Sequence, residues 1–210
     1  MENPVMIFGA GSLGLTALDI FQRNEVVVYG FLDDEKAFHG QEFGDVSVLG
    51  ETDDDGFLKI IGPKTEAFIA IGDGRVRKQL VKLLNERRKT QPVNAIHDTA
   101  VVSKLATIGH GNLIAARAVI NPMVTVGQHC LILTGAVIDT RAALGDFVQV
   151  GPGAIVNSGV TIDESAYIGA GAVLVAGITV GKGARIGAGS VVVENVAAGS
   201  TVFGNPAKGI

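Results

Sequence analysis

The sequence predicts a small α/β domain followed by a parallel β-helix, and three observations carry that reading. From Ile96 to Ala197 an aliphatic residue returns at every sixth position without a gap, from Ile96, Val102 and Ile108 through to Ile186 and Val192. Period six is neither the 3.6 of a helix nor the 2 of an open strand, and it matches repeats in which one short strand and one turn form a unit. Ahead of the repeat, the apolar run Val5 to Phe8 leads into Gly9-Ala10-Gly11-Ser12-Leu13-Gly14 and then a helical pattern, a strand–turn–helix order. Charge also changes across the chain: charged residues are only 18 % of the total and crowd into the part before Ile96, while most of the 29 glycines follow it. We place the domains at 1–93 and 94–210.

Within the repeat, three hexads make one triangular coil, so every third hexad returns the chain to the same face. The stretch holds between five and six coils, a prism roughly 25 Å tall at strand spacing. The aliphatic position points inward. Four residues on, a mostly small residue (Ala100, Ala118, Ala136, Ala154, Ala166, Ala172, Ser190) fits where the interior narrows and Leu would overpack. The position directly after the aliphatic is rich in Gly, Asn and Asp, which tolerate the backbone angles of corners. Cys130 occupies one of the small inward slots and reads as a packing residue. Left-handed coiling is expected from the hexapeptide repeat class, an exception to the right-handed crossover rule.

The first domain reads as strands at Val5–Phe8, Val26–Leu32, Val46–Leu49, Ala67–Ile71 and Val93–Ile96. A helix with Leu15, Leu18, Ile20 and Phe21 on its apolar side follows the glycines. A second lies around Phe57–Ile61 after a solvated Asp53-Asp54-Asp55, and a third over Arg75–Arg88 turns Val76, Leu80, Leu83 and Leu84 to the sheet. Helix amides behind Gly9, Gly11, Ser12 and Gly14 suit a phosphate. Asp33 and Asp34 stand about 20 residues on, where an acid receives a ribose hydroxyl. Gly72 opens a second tight turn on the same side, with Arg75 and Arg77 beside it, read as exposed surface charges first and as phosphate contacts second. Three readings of the glycine turn stand: a nucleotide or nucleotide-sugar site, a structural turn, and an NAD site. So short a unit makes one mononucleotide half, which ranks the nucleotide sugar first and NAD last.

Other classes are excluded more directly. A net charge of −4, with no basic run beyond Arg87-Arg88-Lys89, leaves no nucleic-acid footprint. One cysteine allows no intramolecular disulfide and fits a reducing compartment. No signal peptide and no apolar run of bilayer length are visible, so a cytoplasmic protein without a membrane span is expected. No metal site is expected.

These residues together resemble a known family. Phe8-Gly-Ala-Gly-Ser-Leu-Gly, Phe31-Leu-Asp-Asp, Val48-Leu-Gly, Ala70-Ile-Gly, Ile96-His97, the unbroken hexads and the terminal Gly204-Asn-Pro-Ala-Lys are similar to the bacterial hexapeptide-repeat sugar acyltransferases. That group includes the sialic acid O-acetyltransferase type and the nucleotide-amino-sugar N-acetyltransferases. The resemblance implies a homotrimer, with acetyl-CoA in grooves between prisms and a nucleotide sugar held by the first domain. It implies acetyl-CoA contacts at Gln149, Gly151, Ser158, Ala170 and Ala188, around the Gly151-Pro-Gly, Gly169–Gly171 and Gly187–Gly189 turns.

The family chemistry is attack of a sugar amine or hydroxyl on a thioester, assisted by a histidine base. The resemblance places that histidine third in the hexad that begins at Ile138, beside a carboxylate. Here the hexad reads Ile138-Asp139-Thr140-Arg141, and a further family histidine is represented by Gln149. Thr140 stands at the base position, and Asp139 is the nearest carboxylate, available to orient an amine or act as a weak base. His97 reads as structural, His110 and His129 as surface or interface residues on earlier coils, and His39 as an exposed loop residue. The rival to an acyltransferase is a protein of the same architecture that binds a ligand or partner without turnover. An NAD oxidoreductase lacks a second nucleotide half and a catalytic domain.

Overall fold

The computed structural model describes residues 3–209. It divides into two compact units, Met1–Asp98 and Thr99–Ile210. The division falls a few residues past the expected 93/94 boundary for a local reason. The Val93 amide donates to the Ala67 carbonyl at 2.9 Å, and Asn24 Nδ2 donates to the Ile96 carbonyl at 2.8 Å. His97 and Asp98 are likewise bonded back to the first unit through Asp19 and Arg23.

The first unit contains β1 (Val5–Phe8), α1 (Ser12–Arg23), β2 (Val28–Leu32), β3 (Glu42–Phe43), β4 (Val46–Gly50), α2 (Asp55–Leu58), β5 (Glu66–Ile69) and α3 (Gly74–Arg88). Its sheet runs β3-β4-β2-β1-β5, parallel except for the β3–β4 hairpin. The central β1 is apolar at every position and fully buried, as a strand covered on both faces must be. Because β2 and β5 flank β1 on opposite sides, a crevice opens beyond the carboxyl ends of these strands, where ligands of such sheets bind.

Several expectations change in detail. The short β3 has no counterpart in the sequence reading, α2 is a single turn capped by Asp54, and Ala95–Ile96 does not join this sheet. On α1, Leu15 is 40 % exposed, and Gly14 and Ala17 are buried instead. On α3 the buried face is Arg77, Leu80, Val81 and Leu84; Leu83 lies at its margin, and Val76, expected to face the sheet, is exposed. Arg77 is only 1 % exposed, so it is neither a surface charge nor available to a phosphate. Its guanidinium donates to the carbonyls of Ile71 (2.6 Å) and Gly72 (3.1 Å), which holds the turn after β5.

The second unit is a triangular parallel β-helix. Two-residue strands pair with partners three hexads away, for example Val119 with Val101 and Val137, and Ile138 with Ile120 and Val156. One face is built on Val101, Val119, Val137, Ile155, Val173 and Val191. The second face is built on Thr107, Thr125, Ala143, Thr161 and Thr179. The third carries Leu113, Leu131, Gln149, Tyr167 and Arg185, and ends in the hairpin Thr201–Gly204 with Ala207–Gly209. Each hexad aliphatic from Ile114 to Val192 is buried.

The corners correct one expectation. Left-handed φ falls on the third residue after the aliphatic, from Gly111 to Gly189 at every sixth position, whether Gly or one of Arg117, Met123, His129, Arg141, Phe147 and Ser165. Glycines at the first position serve close stacking: a Cβ on Gly151 would stand 2.6 Å from the Ala170 amide nitrogen, and one on Gly169 2.5 Å from that of Ala188. The second inward slot also takes Val124, Val160 and Ile178 on the approach to the second face, so narrowness is not uniform. Cys130 fills its slot fully buried, its thiol donating to the Gly145 carbonyl at 3.1 Å.

Where the slot holds alanine the packing is tight. Ala166→Leu or Ala172→Leu is expected to lower stability by roughly 1–3 kcal/mol through overpacking. Denaturant unfolding of each variant checks this, and unchanged midpoints for both would show the inward register to be mistaken.

Candidate active site

The crevice above β1 forms a cavity of about 310 Å³, and it gathers Gly9, Gly11, Ser12, Asp33 and Gly72 from the sequence reading. The glycines there have separate jobs. Gly9 has φ +104, a conformation that favours glycine. Gly14 is required by packing, since a Cβ would collide with the Gly9 carbonyl oxygen, and it does not line the cavity. Gly11 has nothing within 4 Å of its notional Cβ, which leaves open space at the amino end of α1. That end has no side-chain cap, so its amides remain available to an anion.

Asp33 braces the crevice: Oδ2 accepts from the Ala10 amide at 2.7 Å and Oδ1 from the Glu35 amide at 2.8 Å. Asp34 turns away and accepts from the amide and hydroxyl of Thr52, both at 2.8 Å. His39 is not a free loop residue, because its Nε2–H donates to the Asp33 carbonyl at 2.7 Å. Glu35, Phe38 and Ile71 also line the cavity; only the crossing of two loops reveals them. Arg75 is exposed and reaches only Asp73, at 3.8 Å. Asp73 caps α3, and the Val76 and Arg75 amides hold its carboxyl below the usual range.

On the prism, Asp139 and Thr140 occupy the corner where the chain leaves the first face. Asp139 Oδ1 accepts from the Thr140 amide (2.7 Å), Asn121 Nδ2 (2.8 Å) and, more weakly, the Thr140 hydroxyl (3.4 Å). The Thr140 amide and then the Asn121 side chain hold its pKa below the usual carboxylate value, which makes Asp139 a poorer base than an ordinary carboxylate. Asn121 lies one full coil before Asp139, a relation visible only once the coil length is known. Ser158 lies one coil beyond Thr140, and the Gly159 amide donates to the Thr140 carbonyl at 3.1 Å.

Gly151, Ala170 and Ala188 stack along a different edge, where the chain enters the first face, and Gln149 lies just before it on the third face. Between Ala116 and Gly189 this edge carries one charged residue, Arg117, and otherwise almost nothing larger than Ala, Thr or Pro. Within one chain the two edges are the width of the first face apart. The structure therefore brings Gly151, Ala170 and Ala188 together, and Thr140 with Asp139 and Ser158, but not the two sets.

No histidine reaches the Thr140 corner. His97 is buried, with Nδ1 2.8 Å from Asp98 and Nε2 3.5 Å from Asp19. His110 is exposed on another edge. His129, expected at the surface, is only 3 % exposed and packs on Phe147 with ring centroids 5.0 Å apart. Among the described residues no cluster of three or more His, Cys, Asp or Glu could hold a metal ion, and no helix is long and apolar enough to cross a membrane.

The family model described as PglD N-terminal domain matches residues 4–84. No curated protein matches the chain in sequence. Among solved structures, the acetyltransferase domain of PglB from Neisseria gonorrhoeae is 30 % identical, with all of both chains covered and a TM-score of 0.92. That domain is also known in complex with acetyl coenzyme A. PerB from Caulobacter crescentus, in complex with CoA and GDP-perosamine, is 30 % identical over 100 % of this chain and 98 % of its own, with a TM-score of 0.91. Variants of the perosamine N-acetyltransferase of the same organism with one histidine replaced, by asparagine or alanine, also contain both ligands. WeeI from Acinetobacter baumannii matches at 27 % identity over 99 % of each chain, with a TM-score of 0.85. The prism is thus a left-handed β-helix. With both units present and identity of this order over its full length, the chain belongs to the bacterial hexapeptide-repeat sugar acetyltransferases.

Proposed function

We propose that the chain transfers an acetyl group from acetyl-CoA to an amino or hydroxyl group of a nucleotide-linked sugar, as a cytoplasmic homotrimer. The observation that carries this reading is the stacked edge of Gly151, Ala170 and Ala188, where Pro152, Ala170 and Ala188 are exposed on successive coils and no large side chain covers the path of an extended thioester. The crevice at Gly9–Gly14 and Asp33 holds the sugar nucleotide, with its phosphates at the amino end of α1. In the reaction the acceptor nitrogen or oxygen attacks the thioester carbonyl. The C–S bond breaks, CoA leaves as the thiolate, and the proton given up by the acceptor ends on its sulfur.

Thr140 takes the base position without a base's chemistry, since its hydroxyl does not usefully accept a proton at neutral pH. Asp139, with Oδ1 already engaged, is suited to hold an acceptor amine through Oδ2. An amine tolerates this arrangement better than a hydroxyl, because its free-base fraction is already nucleophilic. The same observation favours a second reading, a family member that binds both ligands and turns over poorly. The solved histidine variants support separating binding from turnover, since both ligands bind in that relative without the replaced side chain.

The first face supports the trimer. Its outward row is aliphatic throughout, with Val101 61 % and Ile155 39 % exposed. The edges carrying Pro152 and Ser158 lie up to roughly 20 Å apart along the strand direction. A neighbouring copy packed on this face covers the row and lays its own edge beside the other. Light scattering at micromolar concentration is expected to give a trimer mass; a monomer mass would overturn this arrangement.

Gly11→Val is expected to abolish binding of the nucleotide sugar while the fold persists. Its Cβ enters the open space of the cavity lining, with nothing of the protein within 4 Å of it. Titration calorimetry checks binding and a thermal melt checks folding; unchanged affinity would reduce the turn to a structural role.

The Thr140→His, Arg141→Glu double variant is expected to raise kcat/KM at least about tenfold, the low side of what general-base assistance supplies. If wild-type turnover is already ordinary and the variant adds nothing, the base lies elsewhere.

A further inference from the structure

A diphosphate ligand is anionic, yet the cavity above β1 is lined by two carboxylates, Asp33 and Glu35, and by no cationic side chain. Asp33 is explained by its two backbone hydrogen bonds. Glu35 is not. Its amide donates to Asp33, but its exposed carboxylate makes no hydrogen bond or ion pair among the described residues.

Glu35 caps a single 3₁₀ turn, Lys36–Phe38, closed by the Phe38 amide donating to the Glu35 carbonyl at 2.9 Å. Glu35, extended at φ −77 and ψ 105, precedes the turn and Phe38 ends it, and both line the cavity. Phe43 meets the Phe38 ring edge-on, with centroids 6.5 Å apart, and the His39 bond to the Asp33 carbonyl braces the loop. In such folds the phosphates meet the amino end of the first helix and the acid after the second strand meets the ribose, which leaves the cavity lining that follows Asp33, at Glu35 and Phe38, for the base. An aromatic ring offers a stacking plane that every base can use but a ribose cannot. The Glu35 carboxylate presents acceptors and no donor.

That pairing discriminates among bases. Guanine offers two adjacent donors, N1–H and the N2 amino group. Uracil sets one N–H between two carbonyl oxygens, which a carboxylate repels, and adenine and cytosine set a donor beside a ring acceptor. We infer that Glu35 and Phe38 read the nucleobase and make this chain selective for guanosine-diphosphate sugars. The inference rests on the proposed nucleotide-sugar reading of the cavity.

Titration calorimetry of the full chain with GDP and with UDP tests it. Wild type is expected to bind GDP roughly ten- to hundredfold more tightly than UDP, the range a bidentate side chain–base contact provides. Glu35→Ala is expected to remove most of that difference while UDP affinity holds, and Phe38→Leu to weaken both nucleotides alike. Both positions are at the surface rim, and a thermal melt confirms that each variant folds. Equal wild-type affinities, or an equal loss for both nucleotides in Glu35→Ala as a ribose contact would give, overturns the inference and leaves the nucleotide reading standing. Failure of wild type to bind either nucleotide overturns both.

Discussion

Everything in the repeat unit depends on a hydrogen bond between successive corners. The left-handed residue of one corner donates its amide to the middle carbonyl of the corner one coil earlier, as in Gly135 to Ala116, Gly153 to Thr134, Gly171 to Pro152 and Gly189 to Ala170, at 2.8–2.9 Å. Positive φ is what turns that amide along the prism axis. Six corners adopt it without glycine, Arg141 and His129 among them, although it is disfavoured for ordinary side chains. Ladder bonds from the strands act in the same direction, so a coil is locked at its sides and its corners together. A strict period of three hexads follows, and any inserted residue would break both sets at once.

This locking decides what the corners can do. The left-handed amide and the middle carbonyl of each corner pair with neighbouring coils, so an edge can dispense with side chains and remain ordered. The edge of Gly151, Ala170 and Ala188 does so, and its flatness comes from stacking too tight for a Cβ at Gly151 or Gly169. The Asp139 corner uses the same register differently. Residues three hexads apart become neighbours, and Asn121 donates to Asp139 because it sits one coil away in the same column. Its amide and the Thr140 backbone stabilise the carboxylate, which favours holding a donor over taking a proton.

The first unit reaches its site by another route. The carboxyl ends of β1, β2 and β5 bring three loops to one crevice. Asp33 ties two of them by bonding the Ala10 and Glu35 amides. Arg77 fixes the third from beneath by engaging the Ile71 and Gly72 carbonyls from a fully buried position. A buried guanidinium is tolerated because carbonyl oxygens satisfy its donors. The crevice is accordingly preorganised by two charged side chains, Asp33 on its wall and Arg77 outside its lining.

The sequence by itself determined the architecture. Seventeen unbroken hexads specify a three-sided coil because inward packing repeats with the backbone, and strand–glycine–helix order specifies the first sheet. Gly9, Gly11 and Ser12 were legible because backbone conformation and close approach restrict residue type locally. Tertiary structure decided what depends on distant neighbours. The helical pattern turns Val76 and not Arg77 to the sheet, yet Arg77 is buried because carbonyls lie within its reach, and Val76 is exposed. His129 looks like a surface residue until the ring of Phe147 from the next coil covers it. The division of labour between Asp33 and Glu35, and the width of a face between Thr140 and the Gly151 edge, arise from chain crossings and coil geometry that no local pattern encodes.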